Sequence, residues 1–108
     1  MKRILLSSLL LISIIFLSSL SSAFSPCPSF GYKHNCYGTY IWDTGDKYIG
    51  EFQNNLGNGN GTYIHASGAT YVGKWKDMKR HDYGIEIWPD GSKYQGLHKN
   101  NERHGQGI

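Results

Sequence analysis

The sequence predicts an all-β fold: an elongated, single-layer antiparallel meander of stacked β-hairpins, preceded by a signal-peptide helix. Three observations predict it. Glycine (14 residues) and aromatic residues (14%) are abundant while proline numbers only 3, a balance that fits neither a helical bundle nor a disordered chain. The segment Tyr48-Ile49-Gly50-Glu51-Phe52 returns as Tyr71-Val72-Gly73-Lys74-Trp75 and again as Tyr94-Gln95-Gly96-Leu97-His98, at a constant step of 23 residues. Within each step the side chains alternate with a period of two, as in a strand with one face exposed to water.

The first segment of the 108-residue chain is a targeting signal. Lys2 and Arg3 precede the apolar stretch Ile4–Leu20, and Ser21-Ser22-Ala23 supplies the small residues of a cleavage site, so residues 1–23 read as a removable export signal. The protein is then periplasmic or extracellular. The alternative is an uncleaved membrane anchor, for which Ile4–Leu20 is short and diluted by serine. The formal net charge is +3, and Lys2 and Arg3 carry two of those charges. What remains has no basic face to neutralise phosphates, which argues against nucleic-acid binding.

Cys27 and Cys36 are the only cysteines. In an exported chain they are expected to form a disulfide, which ties residues 24–36 into an N-terminal cap. A loop this short gains about 2.5–3 kcal/mol in the chain-entropy picture. A redox pair is more usually spaced Cys-x-x-Cys.

The repeat organises residues 37–108. It divides into a partial unit at 37–47, two full units at 48–70 and 71–93, and a partial unit at 94–108. The repeat-defining residues are Tyr48, Gly50, Phe52, Gly61 and Gly68, then Tyr71, Gly73, Trp75, Gly84 and Gly91, then Tyr94, Gly96 and Gly107. Each unit is one hairpin. Asn54–Gly57 supplies turn residues within a unit, and Thr44-Gly45, Ser67-Gly68 and Asp90-Gly91 form turns between units. Alternation puts Tyr48, Gly50 and Phe52 on one face, and Gly59, Gly61, Tyr63 and His65 likewise. Aromatic rings are therefore expected to lie over glycine backbones that have no Cβ, which offsets the weakness of glycine in a strand.

The pattern Tyr-x-Gly-x-aromatic, then Gly-x-Gly, then a turn glycine, at 23-residue spacing over residues 37–108, resembles the MORN repeat (membrane occupation and recognition nexus). The resemblance implies an elongated single-layer sheet that serves as a scaffold or binding surface. The chain departs from the pattern in places. Asn55, Met78 and Asn101 occupy a turn position usually held by glycine, and Met78 suits a left-handed conformation poorly. Asp82 replaces a glycine, and His98 replaces the aromatic residue.

No catalytic motif emerges. Gly-x-Ser-x-Gly is absent, and Gly57-Asn58-Gly59-Asn60-Gly61 leads into a strand rather than the helix that a phosphate-binding loop requires. His81 and His104 share a repeat position and fall two strands apart, about 9.6 Å, too far to hold one metal. The expectation is a non-enzymatic protein without cofactor or metal, acting as an exported scaffold or protein-interaction module. Its candidate surface is a ladder of Tyr48, Tyr71 and Tyr94 together with the basic cluster Lys74, Lys76, Lys79 and Arg80. That cluster gives the alternative, a peripheral module for anionic lipid membranes; the aromatic ladder gives a third, carbohydrate binding. Asn60-Gly61-Thr62 fits a glycosylation acceptor. The last residues leave a strand edge, expected either to pair with a second copy or to continue into a longer array.

Overall fold

Backbone pairing follows chain order. A computed structural model describes residues 24–108; the export signal read from residues 1–23 lies outside them. Eight strands form one sheet in the order β1 (Ser25–Pro26), β2 (Cys36–Ile41), β3 (Lys47–Gln53), β4 (Leu56–Ile64), β5 (Thr70–Lys76), β6 (Lys79–Ile87), β7 (Lys93–Lys99) and β8 (Glu102–Gly107). From β2 onward every neighbour is antiparallel. The short β1 differs: it runs parallel to β2 through Ser25↔Cys36 and Pro26↔Tyr37. Residues 27–35 form the crossover that a parallel pair requires.

Two kinds of turn alternate. Asn54-Asn55, Asp77-Met78 and Asn100-Asn101 are two-residue loops with positive φ throughout (52° and 66°, 49° and 65°, 51° and 72°), the combination whose twist matches that of the flanking strands. In the other turns Gly45, Gly68 and Gly91 take φ of 96°, 102° and 92°. Their N–H groups donate to the carbonyls of Trp42, His65 and Trp88. Met78, the apparent misfit, has a packing reason for its place: its sulfur accepts from the Gly57 N–H at 3.3 Å and its own N–H donates to the Gly57 carbonyl at 2.8 Å.

Each unit carries a bulge, between Gly50 and Phe52, Gly73 and Trp75, and Gly96 and His98. Opposite them Gly59, Asp82 and Gly105 adopt φ of 92°, 63° and 71°, and aspartate is among the few side chains that tolerate this region. The bulge corrects one expectation. Gly59 is turned toward the Glu51 side chain on the opposite face, and Gly57 takes its place under the Tyr48 ring.

One interaction recurs in every unit. The Tyr48, Tyr71 and Tyr94 hydroxyls donate to the carbonyls of Glu51, Lys74 and Leu97, at 2.8, 3.4 and 3.5 Å. Each ring thereby lies flat along the sheet, over Gly61, Gly84 and Gly107 respectively, where a Cβ would overlap the ring. At the N-terminal end the phase-equivalent glycine, Gly38, is covered by the disulfide half-cystine: a Cβ there would come within 2.8 Å of Cys27 Cβ. The Cys27–Cys36 disulfide is formed.

The core is the aromatic row this creates on one face. Cys36, Tyr48, Phe52, Tyr71 and Trp75 are buried, with Cys27, Trp42, Tyr63 and Met78 packed against them. The sheet is a single layer, yet Tyr48 is fully buried. Edge-to-face contacts explain it: Tyr48 meets Phe52 at 5.1 Å and Trp75 at 5.5 Å, and Tyr71 meets Trp75 at 5.0 Å. Rings cover rings, so no second layer is needed. Burial pushes the Tyr48 hydroxyl far above its ordinary value and, against the opposing charge of Arg80, raises Tyr71 to about 12.

Gly84→Val forces a side chain into the Tyr71 ring and is expected to cost about 1–3 kcal/mol, the scale of overpacking. Gly91→Ala, where a Cβ meets nothing but φ is 92°, is expected to cost only about 1–2 kcal/mol of backbone strain. Thermal midpoints by circular dichroism check both. Reducing the disulfide is expected to remove about 2.5–3 kcal/mol, read as a lower urea midpoint with dithiothreitol. The raised tyrosine values make the fold bind protons that the unfolded chain has released. Stability is therefore full below pH 10.0 and falls as pH rises toward about 12 and beyond. Unfolding in that window should accompany tyrosinate absorption at about 295 nm; unfolding unchanged across it contradicts the burial.

Candidate functional site

Register divides the side chains between two faces. Paired residues Tyr40, Tyr48, Tyr63, Tyr71, Glu86 and Tyr94 follow one another across the strands on the inner face, with Trp75, Arg80, His98 and Arg103 beside them. The outer face carries the row Thr39, Ile49, Thr62, Val72, Ile85 and Gln95.

The inner face holds a hollow of about 430 Å³ lined by Trp42, Tyr63, His65, Tyr71, Trp75, Met78, Arg80 and Asn101. Its floor is fixed by specific contacts. Trp75 Nε1 donates to the Gly61 carbonyl at 3.0 Å. Tyr63 packs tilted between Trp42 (5.4 Å) and Trp75 (5.9 Å), and its hydroxyl donates to Asp46 at 2.6 Å. That bond, with one from the Ala66 N–H, holds the Asp46 carboxyl below the usual carboxylate range. Burial and the bond to Asp46 raise Tyr63 to about 12.

Beyond Tyr71 the face turns ionic. Glu86 accepts from His98 Nε2 at 2.8 Å, Arg80 Nη1 at 3.2 Å and Arg103 Nε at 3.3 Å. Burial pushes the Glu86 carboxyl up, but the bonds from His98 and Arg103 and the nearby guanidinium charges outweigh it and hold the group low. The His98 ring is buried edge-on between Tyr71 (4.9 Å) and Tyr94 (5.5 Å), and its Nδ1 has no partner among the described residues. Arg80 lies over Tyr71, and Arg103 over Tyr94 and Trp88. Among the described residues no group of three His, Cys, Asp or Glu side chains could hold a metal ion.

The sequence-derived surface residues separate. Tyr48 and Tyr71 are buried and Tyr94 is half-buried, so they form the floor of the face and not an exposed ladder: their rings are spent on covering glycines. Lys74, Lys76 and Lys79 stand exposed on the outer face, whereas Arg80, opposite Trp75, points inward to Glu86. The bulge and strand alternation split what is continuous in sequence. Trp42, Tyr63, Met78, Glu86, His98 and Arg103 were not singled out as surface residues. The 23-residue phase carried the information, since Tyr40, Tyr63 and Glu86 are equivalent, as are Phe52, Trp75 and His98, and Gly57, Arg80 and Arg103.

No curated protein matches the chain. The MORN repeat is matched at residues 37–47, 48–70, 71–93 and 94–108, and repeats of this kind mediate interactions with proteins or membrane lipids. With its tyrosine-over-glycine units and that match over most of its length, the chain belongs to the MORN repeat family.

Proposed function

We propose that the protein is an exported, non-enzymatic interaction module whose inner-face hollow receives a segment of a partner protein. The observation that carries this reading is the hollow itself, a pre-formed aromatic trough between Trp42 and Arg80. Aromatic and arginine side chains on rigid strands are the usual anchors of protein recognition. The disulfide supports an oxidising, exported setting. The polar groups in the trough satisfy one another, Tyr63 with Asp46 and Arg80 with Glu86, which leaves no activated nucleophile and base in contact.

The outer face gives a second reading. Exposed Lys74, Lys76 and Lys79 border the aliphatic row through Val72, and Lys76 and Lys79 oppose each other directly in the ladder. Like charges so placed repel, and anionic head groups would relieve them.

A photo-crosslinking residue at position 42 tests the two readings against one at position 72, in the native exporting cell. Capture of a defined protein at 42 and not at 72 is the expected result. Capture at 72 alone, or salt-sensitive flotation of the protein on vesicles containing phosphatidylserine, moves binding to the outer face.

A further inference from the structure

The ionic cluster replaces an aromatic one at equivalent positions. Where the unit 48–70 places Tyr63, Phe52 and Gly57, the following units place Glu86, His98, Arg80 and Arg103. The exchange does more than fill space. Among the directly bridged groups one carboxylate, Glu86, faces two guanidinium groups, so that trio retains one formal positive charge with His98 counted neutral, Asp82 standing outside these ion pairs.

That surplus charge is also oriented. Arg103 donates to Glu86 through Nε, and its guanidinium lies 4.7 Å from the Tyr94 ring centre and 5.2 Å from that of Trp88. Its terminal nitrogens have no protein acceptor among the described residues, and the side chain is 52% exposed. The Nε–H bond to Glu86 and the two ring contacts restrain the group, so its outer fork is presented with less entropy left to lose, the arrangement suited to bidentate capture of a carboxylate. Arg80 occupies the boundary, shared between the aromatic hollow and a smaller one lined by Glu86 and Trp88.

We infer that the trough selects an acidic polypeptide segment: an apolar side chain seated among Trp42, Tyr63 and Trp75, and an Asp or Glu carboxylate on the outer fork of Arg103. This rests on the reading of the hollow as a protein-binding site. A single carboxylate matches the single uncompensated charge, whereas a dianionic phosphate would face Glu86 at close range. The anchor's seat centres on Tyr63 in β4, and from β4 to β8 is four strand spacings, about 19 Å, which an extended chain crosses in about six residues. The acidic residue therefore stands about six positions from the apolar anchor.

Random-peptide display against the oxidised full-length protein tests this. The expected result is enrichment of peptides pairing an apolar residue with Asp or Glu at about that spacing. Arg103→Gln should weaken an enriched peptide about tenfold while weakening its Glu→Gln twin less than twofold. Arg103→Lys, which keeps the charge and loses the fork, should fall between, with unchanged circular dichroism. Enriched peptides without acidic residues, or equal weakening of both twins, overturn the inference and leave the hollow as an apolar site. Failure to enrich any peptide, or enriched peptides indifferent to Trp42→Ala, overturns the protein-binding reading as well.

Discussion

The fold depends on one contact, a tyrosine ring laid over a glycine. In each unit the hydroxyl bonds the carbonyl three residues ahead, at 2.8 Å for Tyr48, and this draws the ring down onto backbone that carries no Cβ. In a sheet without a second layer this contact takes one side of each ring out of water, and neighbouring rings cover its edges. The contact serves in place of a hydrophobic core, and it explains why glycine, ordinarily a weakness in strands, is indispensable at Gly61, Gly84 and Gly107. Trp75 fills the gap between Tyr48 and Tyr71 and His98 that between Tyr71 and Tyr94, while Phe52 covers the outer edge of Tyr48.

The same contact limits where function can reside. Tyrosines committed to covering glycine have little surface left for a partner: Tyr71 contributes only to the wall of the hollow. Variation is instead permitted at positions between the locks, and there the chain changes from Tyr63 to Glu86 and from Trp75 to His98. The inner face thereby acquires two chemistries along one direction, aromatic near Trp42 and ionic near Arg103. The outer face is lysine-bordered and aliphatic. The two faces of one thin sheet thus have distinct candidate roles.

Much of the fold was legible because repetition is a long-range signal carried locally. Tyr48, Tyr71 and Tyr94 at a fixed step, with Gly45, Gly68 and Gly91 in another phase, determine strands, turns and their order. What alternation alone could not supply was the bulge. Its positive φ at Gly59 rotates that residue off the core face and brings Gly57 beneath Tyr48. Arg80 and Lys79, by contrast, are separated by plain strand alternation, which puts neighbours in sequence on opposite sides of the sheet. The site was less legible, because burial of an isolated ring depends on its neighbours, and because Glu86 and Arg103 meet only through three-dimensional register.

The turn contacts give the molecule a direction. Asn101 shares three hydrogen bonds with Arg80, Met78 two with Gly57, and Asn55 two with Lys33. Each time the later unit reaches back to the earlier one, and the disulfide-closed loop around Lys33 stands in for a unit that would precede the first. The loop, like each hairpin, is made entirely of residues close in sequence, so every link of this series is local. A mould of this kind admits new 23-residue cassettes between existing ones, each inheriting its register from the one before. The spacing between the aromatic and ionic stretches of the inner face then becomes a quantity that evolution can set by counting units.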